Sequence, residues 1–227
     1  MSNPESHTFA YLGPVGTFTE AALKKITCDT DKKIPYANVT AALDAVRRGE
    51  ADYALVPIEN SVEGVVARTL DELASGDQLT ICAEVTLPVT FAFMTKPGAT
   101  AIKRIGTHPH AESQCREYIA KNYPHAEVVP TASTSAAAEA VAKGELDAAI
   151  ASSTAAEHFG LEIREENIGD NSGAVTRFIC AQKPGWIPEP TGDDRTSMAV
   201  FIDIDHAGAL LEILQVFAKN DVNLTFI

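Results

Sequence analysis

TAALDAVRRGEADYA (residues 40–54) decides the fold, because the chain repeats it: SAAAEAVAKGELDAA follows at residues 135–149 and aligns without gaps. Eight of the fifteen positions are identical. Shared alanines account for part of that identity, but Gly49 with Gly144, Glu50 with Glu145 and Asp52 with Asp147 are independent of it. Each copy reads as one unit. Thr40 or Ser135 caps a short helix, the glycine past its end stops it, and an apolar strand follows at residues 53–58 and 146–151. Two copies are too few for a solenoid and instead predict two similar α/β lobes. Each repeated strand runs into a hydroxyl- or amide-rich loop, IENS at 58–61 and ASST at 151–154. Ligands of open α/β sheets bind beyond the carboxyl ends of strands, so the two loops are expected to face each other across a cleft. The competing reading is a chance likeness between two alanine-rich helix–glycine–strand units, which are common.

Outward from the repeat, strand and helix patterns alternate up to about Gln182, which argues for an α/β architecture. TFAYL (8–12) reads as a strand, and GPVGTFTEAALKKI (13–26) as a glycine turn opening an amphipathic helix. Gly64 and residues 67–73 suggest another helix. ICAEVTLPVTFAFMTK (81–96) reads as one or two strands, residues 110–121 as a helix opening the second lobe, and AVTRFICAQ (174–182) as a strand. The expected catalytic unit spans 7–182, with lobe one at about 7–85 plus the returning 175–182, and lobe two at about 86–174. KPGWIPEPTGDDRT (183–196) carries three prolines and two glycines, which places a linker at 183–195. Beyond it SMAVFIDI (197–204) alternates as a half-buried strand, Leu210, Ile213, Leu214 and Phe217 share a helix face, and residues 221–227 begin a second strand. About 32 residues are too few to close an independent core, so 196–227 reads as part of a domain, expected to pack against another chain in a homo-oligomer.

The net charge of −13 argues against a nucleic-acid or anionic-membrane partner, since no basic stripe exists to neutralise phosphates. An anionic small substrate stays compatible, because local donors outweigh net charge at a closed site. MSNPESH is too polar for a signal peptide, and no apolar run is long enough to span a bilayer. Cys28, Cys82, Cys115 and Cys180 are scattered, without a C-x-x-C pair, which fits free thiols in a reducing cytoplasm. His108 and His110 share a face if extended, yet Pro109 marks a turn between them and no third metal ligand has suitable spacing.

GPVGTFTEAA (13–22), VPIENSVEG (56–64), THPHAESQC (107–115), STSAA (133–137) and VTRF (175–178), in this order, resemble the prephenate dehydratase family. GALLEILQVFAKNDVNLTFI (208–227) resembles the start of the ACT regulatory domain that follows the catalytic domain there. The resemblance implies a two-lobed catalytic domain like type II periplasmic binding proteins, then a partial ferredoxin-like (ACT) βαβ segment. It also implies the activity: prephenate loses its ring hydroxyl and one carboxylate together, giving phenylpyruvate in phenylalanine biosynthesis, with no metal or organic cofactor. Aromatisation supplies the driving force, and the protein has to hold a dianion and donate to the departing hydroxyl.

By this resemblance Thr176 is placed at the leaving hydroxyl, as a positioned donor rather than a free acid. Without the family it reads as an ordinary strand threonine. Asn60 and Ser61 offer an amide and a hydroxyl past an apolar strand, though both also suit a turn or cap. Thr17 and Thr19 lie where the glycine turn enters a helix, a ready anion site or a plain tight turn. Gln114 matches the family glutamine of THPHAESQC and would donate from lobe two. Arg177, the cation beside Thr176, Glu59 and Ser152 in the second loop are further substrate-binding candidates; because adjacent strand residues face opposite sides, the alternative for Arg177 is pairing with a nearby acid such as Glu59. The chain departs from the family pattern at Ala132, often an acid, and at Ala174, often an asparagine, with Asn171 the nearest amide to stand in. Gly208, Ala209 and Leu210 match part of the family's phenylalanine effector site. The ESRP segment expected next is not in this sequence, so phenylalanine inhibition is not expected. The alternatives are arogenate dehydratase, with the same chemistry on the amino analogue, and a non-catalytic two-lobed binding protein.

Overall fold

Gly49 and Gly144 stop the two repeated helices identically. Both lie in the left-handed region, at φ 75° and 83°, and the next N–H, of Glu50 or Glu145, reaches back to the carbonyl of Ala45 or Ala140. This six-residue return is the Schellman arrangement, which a side chain at the glycine position would strain. Asp52 and Asp147 then do one job in both copies. The Asp52 carboxylate accepts from Thr8 N at 2.7 Å, and that of Asp147 from Lys103 N and Arg104 N at 2.9 and 2.8 Å. Each pins the start of the neighbouring strand.

A computed structural model describes residues 6–171 and 173–225. In chain order the first elements are β1 (Thr8–Leu12), α1 (Phe18–Leu23), β2 (Lys32–Tyr36), α2 (Val39–Arg48), β3 (Tyr53–Asn60), β4 (Gly64–Val65), α3 (Ala67–Ser75) and β5 (Thr80–Pro88). There follow β6 (Ala92–Thr95), β7 (Arg104–Thr107), α4 (Pro109–Ser113), α5 (Arg116–Asn122), β8 (Glu127–Pro130), α6 (Thr134–Lys143), β9 (Ala148–Ala151), α7 (Ser153–Phe159), β10 (Glu162–Glu165) and β11 (Val175–Gln182).

One sheet has the order β2-β1-β3-β11-β5, with β4 paired to β3, and the other has β8-β7-β9-β6-β10. They are built alike: three parallel strands, a fourth antiparallel to them, and a fifth antiparallel to the fourth. The fourth strand of each sheet is supplied by a crossing. β6 enters the second sheet as the chain leaves the first, and β11 returns to the first after the second is complete. The two crossings run side by side, joined by Ile168 N to Phe91 O at 3.0 Å and Val89 N to Ala174 O at 2.8 Å. Helix α2 buries Val39, Ala42, Leu43 and Val46 against the first sheet, and α6 buries Ala137, Ala138 and Val141 against the second. This is the i, i+3, i+4, i+7 stripe of a core-facing helix.

Several boundaries differ from expectation. The helix caps are Asn38 and Ser133, each two residues before the expected Thr40 and Ser135. Thr40 instead donates to Glu72 at 2.7 Å. Residues 58–60 finish β3 rather than forming a loop, because their backbone pairs with β11. Residues 110–121 form two short helices broken at Gln114, where the Gln114 carbonyl accepts from Asp170 N at 2.6 Å.

The chain divides into two compact units, Met1–Pro188 and Glu189–Ile227. The second contains α8 (Ala209–Lys219). Among the described residues the strand expected at 197–204 does not form, since alternation makes a strand only where a ladder partner exists. Nor does residue 221–225 begin one; Phe226 and Ile227 lie outside the described residues. Of the expected βαβ segment the described residues hold the helix alone.

Candidate active site

Antiparallel pairing sets Thr176, at the start of β11, directly opposite Asn60, at the end of β3. The Asn60 amide has one orientation. Its Oδ1 accepts from the backbone N–H of Val62 at 2.8 Å and of Glu63 at 3.2 Å, so its Nδ2 must be the group 2.9 Å from Thr176 Oγ1. Because Thr176 accepts that bond, its own hydroxyl hydrogen is left to donate elsewhere. The side chain is 7% exposed, so the donor sits in surroundings of low water content, where a preorganised dipole counts for more than in solvent.

Ser61 is placed beside this pair but is engaged with the backbone. Its N–H donates to Val175 O and its Oγ accepts from Val175 N, both at 2.9 Å. Arg177 faces the other side of the sheet, as alternation requires. Its Nη1 lies 2.8 Å from Glu59 Oε2 and its Nε 2.9 Å from Glu84 Oε2. Arg177 and Glu59 are therefore brought to each other and not to Thr176.

The glycine turn at residues 13–17 leaves the first sheet and is held by the second lobe. Ser152 Oγ donates to Gly16 O at 2.8 Å, Ser135 Oγ donates to Val15 O, and Gly16 N donates to the Glu20 carboxylate. Gly16 has φ 78°, and a Cβ there would collide with Ser135 Oγ and crowd the Ala155 backbone, so the turn conformation and the approach both favour glycine. Thr17 caps α1 through Glu20 N, and its hydroxyl also contacts Leu12 O at 3.4 Å. Thr19 is buried. Ser152, expected to meet substrate, donates to the turn, and Ser135, expected as a helix cap, does likewise. Nearby, burial and then the Glu20 charge push the Tyr11 phenol up.

From lobe two, Gln114 Nε2 donates to His110 O at 3.2 Å. His110 Nδ1 in turn lies 2.8 Å from Glu63 Oε2, and Glu63 N–H is the group held by Asn60. The Asn60–Glu63–His110–Gln114 run thus spans from one lobe to the other. It joins residues that sequence reasoning had named separately; the Glu63 contact it missed, since nothing in a linear pattern pairs residues 63 and 110. His108 caps α4, accepting from His110 N at 3.3 Å. Burial, then the nearby His110, hold it below the ordinary imidazole range. No group of three or more His, Cys, Asp or Glu suited to a metal occurs among the described residues. Ala174 is buried at the hinge, and the Asn171 side chain accepts locally from Gly173 N at 2.9 Å, which engages it in a turn.

Two like-built lobes on a paired hinge, with an oriented amide–hydroxyl couple at the end of the first sheet, give the two-lobed α/β fold of the periplasmic-binding-protein kind. The family profile described as prephenate dehydratase matches residues 9–185, and prephenate dehydratase of Amycolatopsis methanolica is 46% identical, covering 95% of this chain and 71% of that protein. The chain belongs to the prephenate dehydratase family. The crystal structure of prephenate dehydratase in complex with L-Phe from Arthrobacter aurescens aligns with a TM-score of 0.90 at 47% identity, over 97% of this chain and 74% of that one. A chain described as GqqA, a novel type of quorum quenching acylase, aligns with a TM-score of 0.76 at 27% identity, over 96% and 80%.

Proposed function

We propose that this chain converts prephenate to phenylpyruvate, carbon dioxide and water. The observation that carries the reading is the Asn60–Thr176 couple. In the reaction the bonding pair released as the ring carboxylate departs as carbon dioxide moves into the ring, and the ring expels its hydroxyl, which leaves as water after taking a proton. Thr176, locked as an acceptor toward Asn60, directs its hydrogen at that oxygen as charge develops there. Ser61 and the turn at 13–17 from lobe one and Gln114 from lobe two are assigned to substrate beside the couple. Arg177 with Glu59 and Glu84 fixes β11 from the far face.

Incubation with prephenate, following phenylpyruvate by absorbance in alkali and carbon dioxide by release, tests the reading. No product at any enzyme concentration overturns it in favour of a binding protein. Arogenate would give phenylalanine by the same bond changes, so kcat/KM compared for the two substrates decides between them.

We further propose that the Glu189–Ile227 unit belongs to an ACT regulatory domain. Support comes from the likeness of residues 208–227 and from the L-Phe bound to the Arthrobacter aurescens relative. Gly208, Ala209 and Leu210 form the turn that opens α8. No helix of the described residues is long and apolar enough to cross a membrane, and Cys28, Cys82, Cys115 and Cys180 are free thiols; both support a cytoplasmic location.

A further inference from the structure

The reaction uses none of the four cysteines, and they are not equivalent. Cys115 is buried in the second lobe, where burial and then the Asp170 charge push its thiol up to about 12, leaving it inert. Cys28, Cys82 and Cys180 line one cavity of about 340 Å³, open to solvent, together with Tyr53 and Trp186. Cys180 lies on β11 and Cys82 on β5, the outer strand of the first sheet. The ladder pairs Cys180 with Ala83 and the next residue, Ala181, with Ile81. Cys82 is therefore the extra residue of a bulge, turned to the same face as Cys180. Its Sγ donates to the Cys180 carbonyl oxygen at 3.3 Å, and the contact between the two side chains moves the Cys82 thiol down and the Cys180 thiol up. Cys180 is 3% exposed, whereas Cys82 is half-buried.

Packing alone explains Cys180, a small residue in a core. It does not explain a second sulfur against it on a solvent-facing edge strand. An accessible thiol beside a sheltered one is the arrangement of an attacking and a resolving cysteine. We propose that Cys82 and Cys180 are a dithiol that a hydroperoxide converts reversibly to a disulfide. The Cys82 thiolate attacks one peroxide oxygen, the O–O bond breaks, and hydroxide leaves with Cys82 as a sulfenic acid. The Cys180 sulfur then attacks Cys82 sulfur, the S–O bond breaks, and the departing hydroxide takes the Cys180 proton as water. Two electrons pass from the sulfur pair to the peroxide, and an external dithiol reverses the change. The bond would have a structural consequence. β5 carries the chain out toward lobe two and β11 brings it back, so a link from Cys82 to Cys180 closes a loop around all of lobe two, at the end of the β5–β11 ladder remote from the hinge pair Pro88 and Val175.

The test is hydrogen peroxide treatment of the full chain, alkylation, and digestion without reduction. The expected product is a joined peptide pair containing Cys82 and Cys180, lighter by two hydrogens, which dithiothreitol separates. Cys28→Ser should form it equally well, and Cys82→Ser should not form it. Cys180→Ala, which keeps the buried position apolar, should trap Cys82 as a sulfenic acid that a dimedone-type reagent captures. A bridge through Cys28, oxidation confined to Cys28, or Cys82 oxidised in the wild-type chain with no joined peptide overturns the proposal.

Discussion

At the scale of single residues, the site depends on which way one hydroxyl points. Asn60 donates to Thr176 because its own oxygen is held by Val62 N and Glu63 N, and this leaves the Thr176 hydrogen to donate elsewhere, under the proposed reaction to the leaving hydroxyl. Thr176→Ala should keep the fold and lower kcat on the order of a hundredfold, the usual loss for one preorganised donor. Thr176→Ser should keep a measurable part of the rate, and near-wild-type turnover by the alanine variant would remove the hydroxyl from the chemistry. Asn60→Asp probes orientation directly. The carboxylate still accepts from Val62 and Glu63 but can no longer donate, so Thr176 turns its hydrogen toward it and away from the leaving group. Turnover should fall by roughly tenfold to a hundredfold with a normal circular dichroism spectrum, and an unchanged kcat would show that the amide does not set the direction of the hydroxyl. The residue types at this couple were legible in the sequence through the family motifs. Its polarity was not, because the two backbone N–H groups that fix the amide exist only once β3 turns at Ser61. Nor was the engagement of Ser152 and Ser135 legible, since each bonds a carbonyl more than a hundred residues away.

At the scale of elements, the repeat was legible where its cause is local. The left-handed glycines at 49 and 144 and the aspartates three residues on act within a few residues or on the adjacent strand, and their types are demanded in both copies. The caps at Asn38 and Ser133 fell outside the aligned stretch, and the strand expected at 197–204 required a partner that alternation does not supply. Asp147 gives the element-scale prediction. Bonds first from Lys103 N and then from Arg104 N hold its carboxyl below the usual carboxylate range. A folded pKa below the unfolded one means that the ionised form stabilises the native state. That contribution is complete above the unfolded value and is lost as pH falls through the folded one. Asp147 is half-buried at the surface of the second lobe, so the effect is small and partly screened. The stability gap between wild type and Asp147→Asn, from urea midpoints, should be level from about pH 7 down to about pH 4 and shrink in stronger acid. A gap that stays level or widens in acid would show that the carboxylate does not hold the start of β7 through its charge.

At the scale of the Met1–Pro188 unit, the two lobes are joined by more than the hinge. The Ser135 and Ser152 hydroxyls hold the turn at 13–17, Glu63 meets His110, Lys24 lies 3.5 Å from Glu157, and Phe18 packs edge-on against Phe91 with ring centres 5.6 Å apart. The exposed ion pairs contribute little. The serines matter more, since both are buried and truncating either leaves a carbonyl without its donor, costing about 1–3 kcal/mol. Under the proposed reaction, binding requires lobe two to come against the glycine turn, whereas the Asn60–Thr176 couple belongs to the first sheet alone. Losing the serine contacts should therefore weaken the closed arrangement without disturbing the hydroxyl that acts in it. Ser135→Ala combined with Ser152→Ala should raise KM for prephenate by roughly tenfold while kcat changes by less than about threefold, and small-angle scattering of the unliganded variant should show a larger radius of gyration. If kcat falls and KM holds, the turn positions the reacting groups themselves. In that case the serines act on the chemical step and not on the meeting of the lobes.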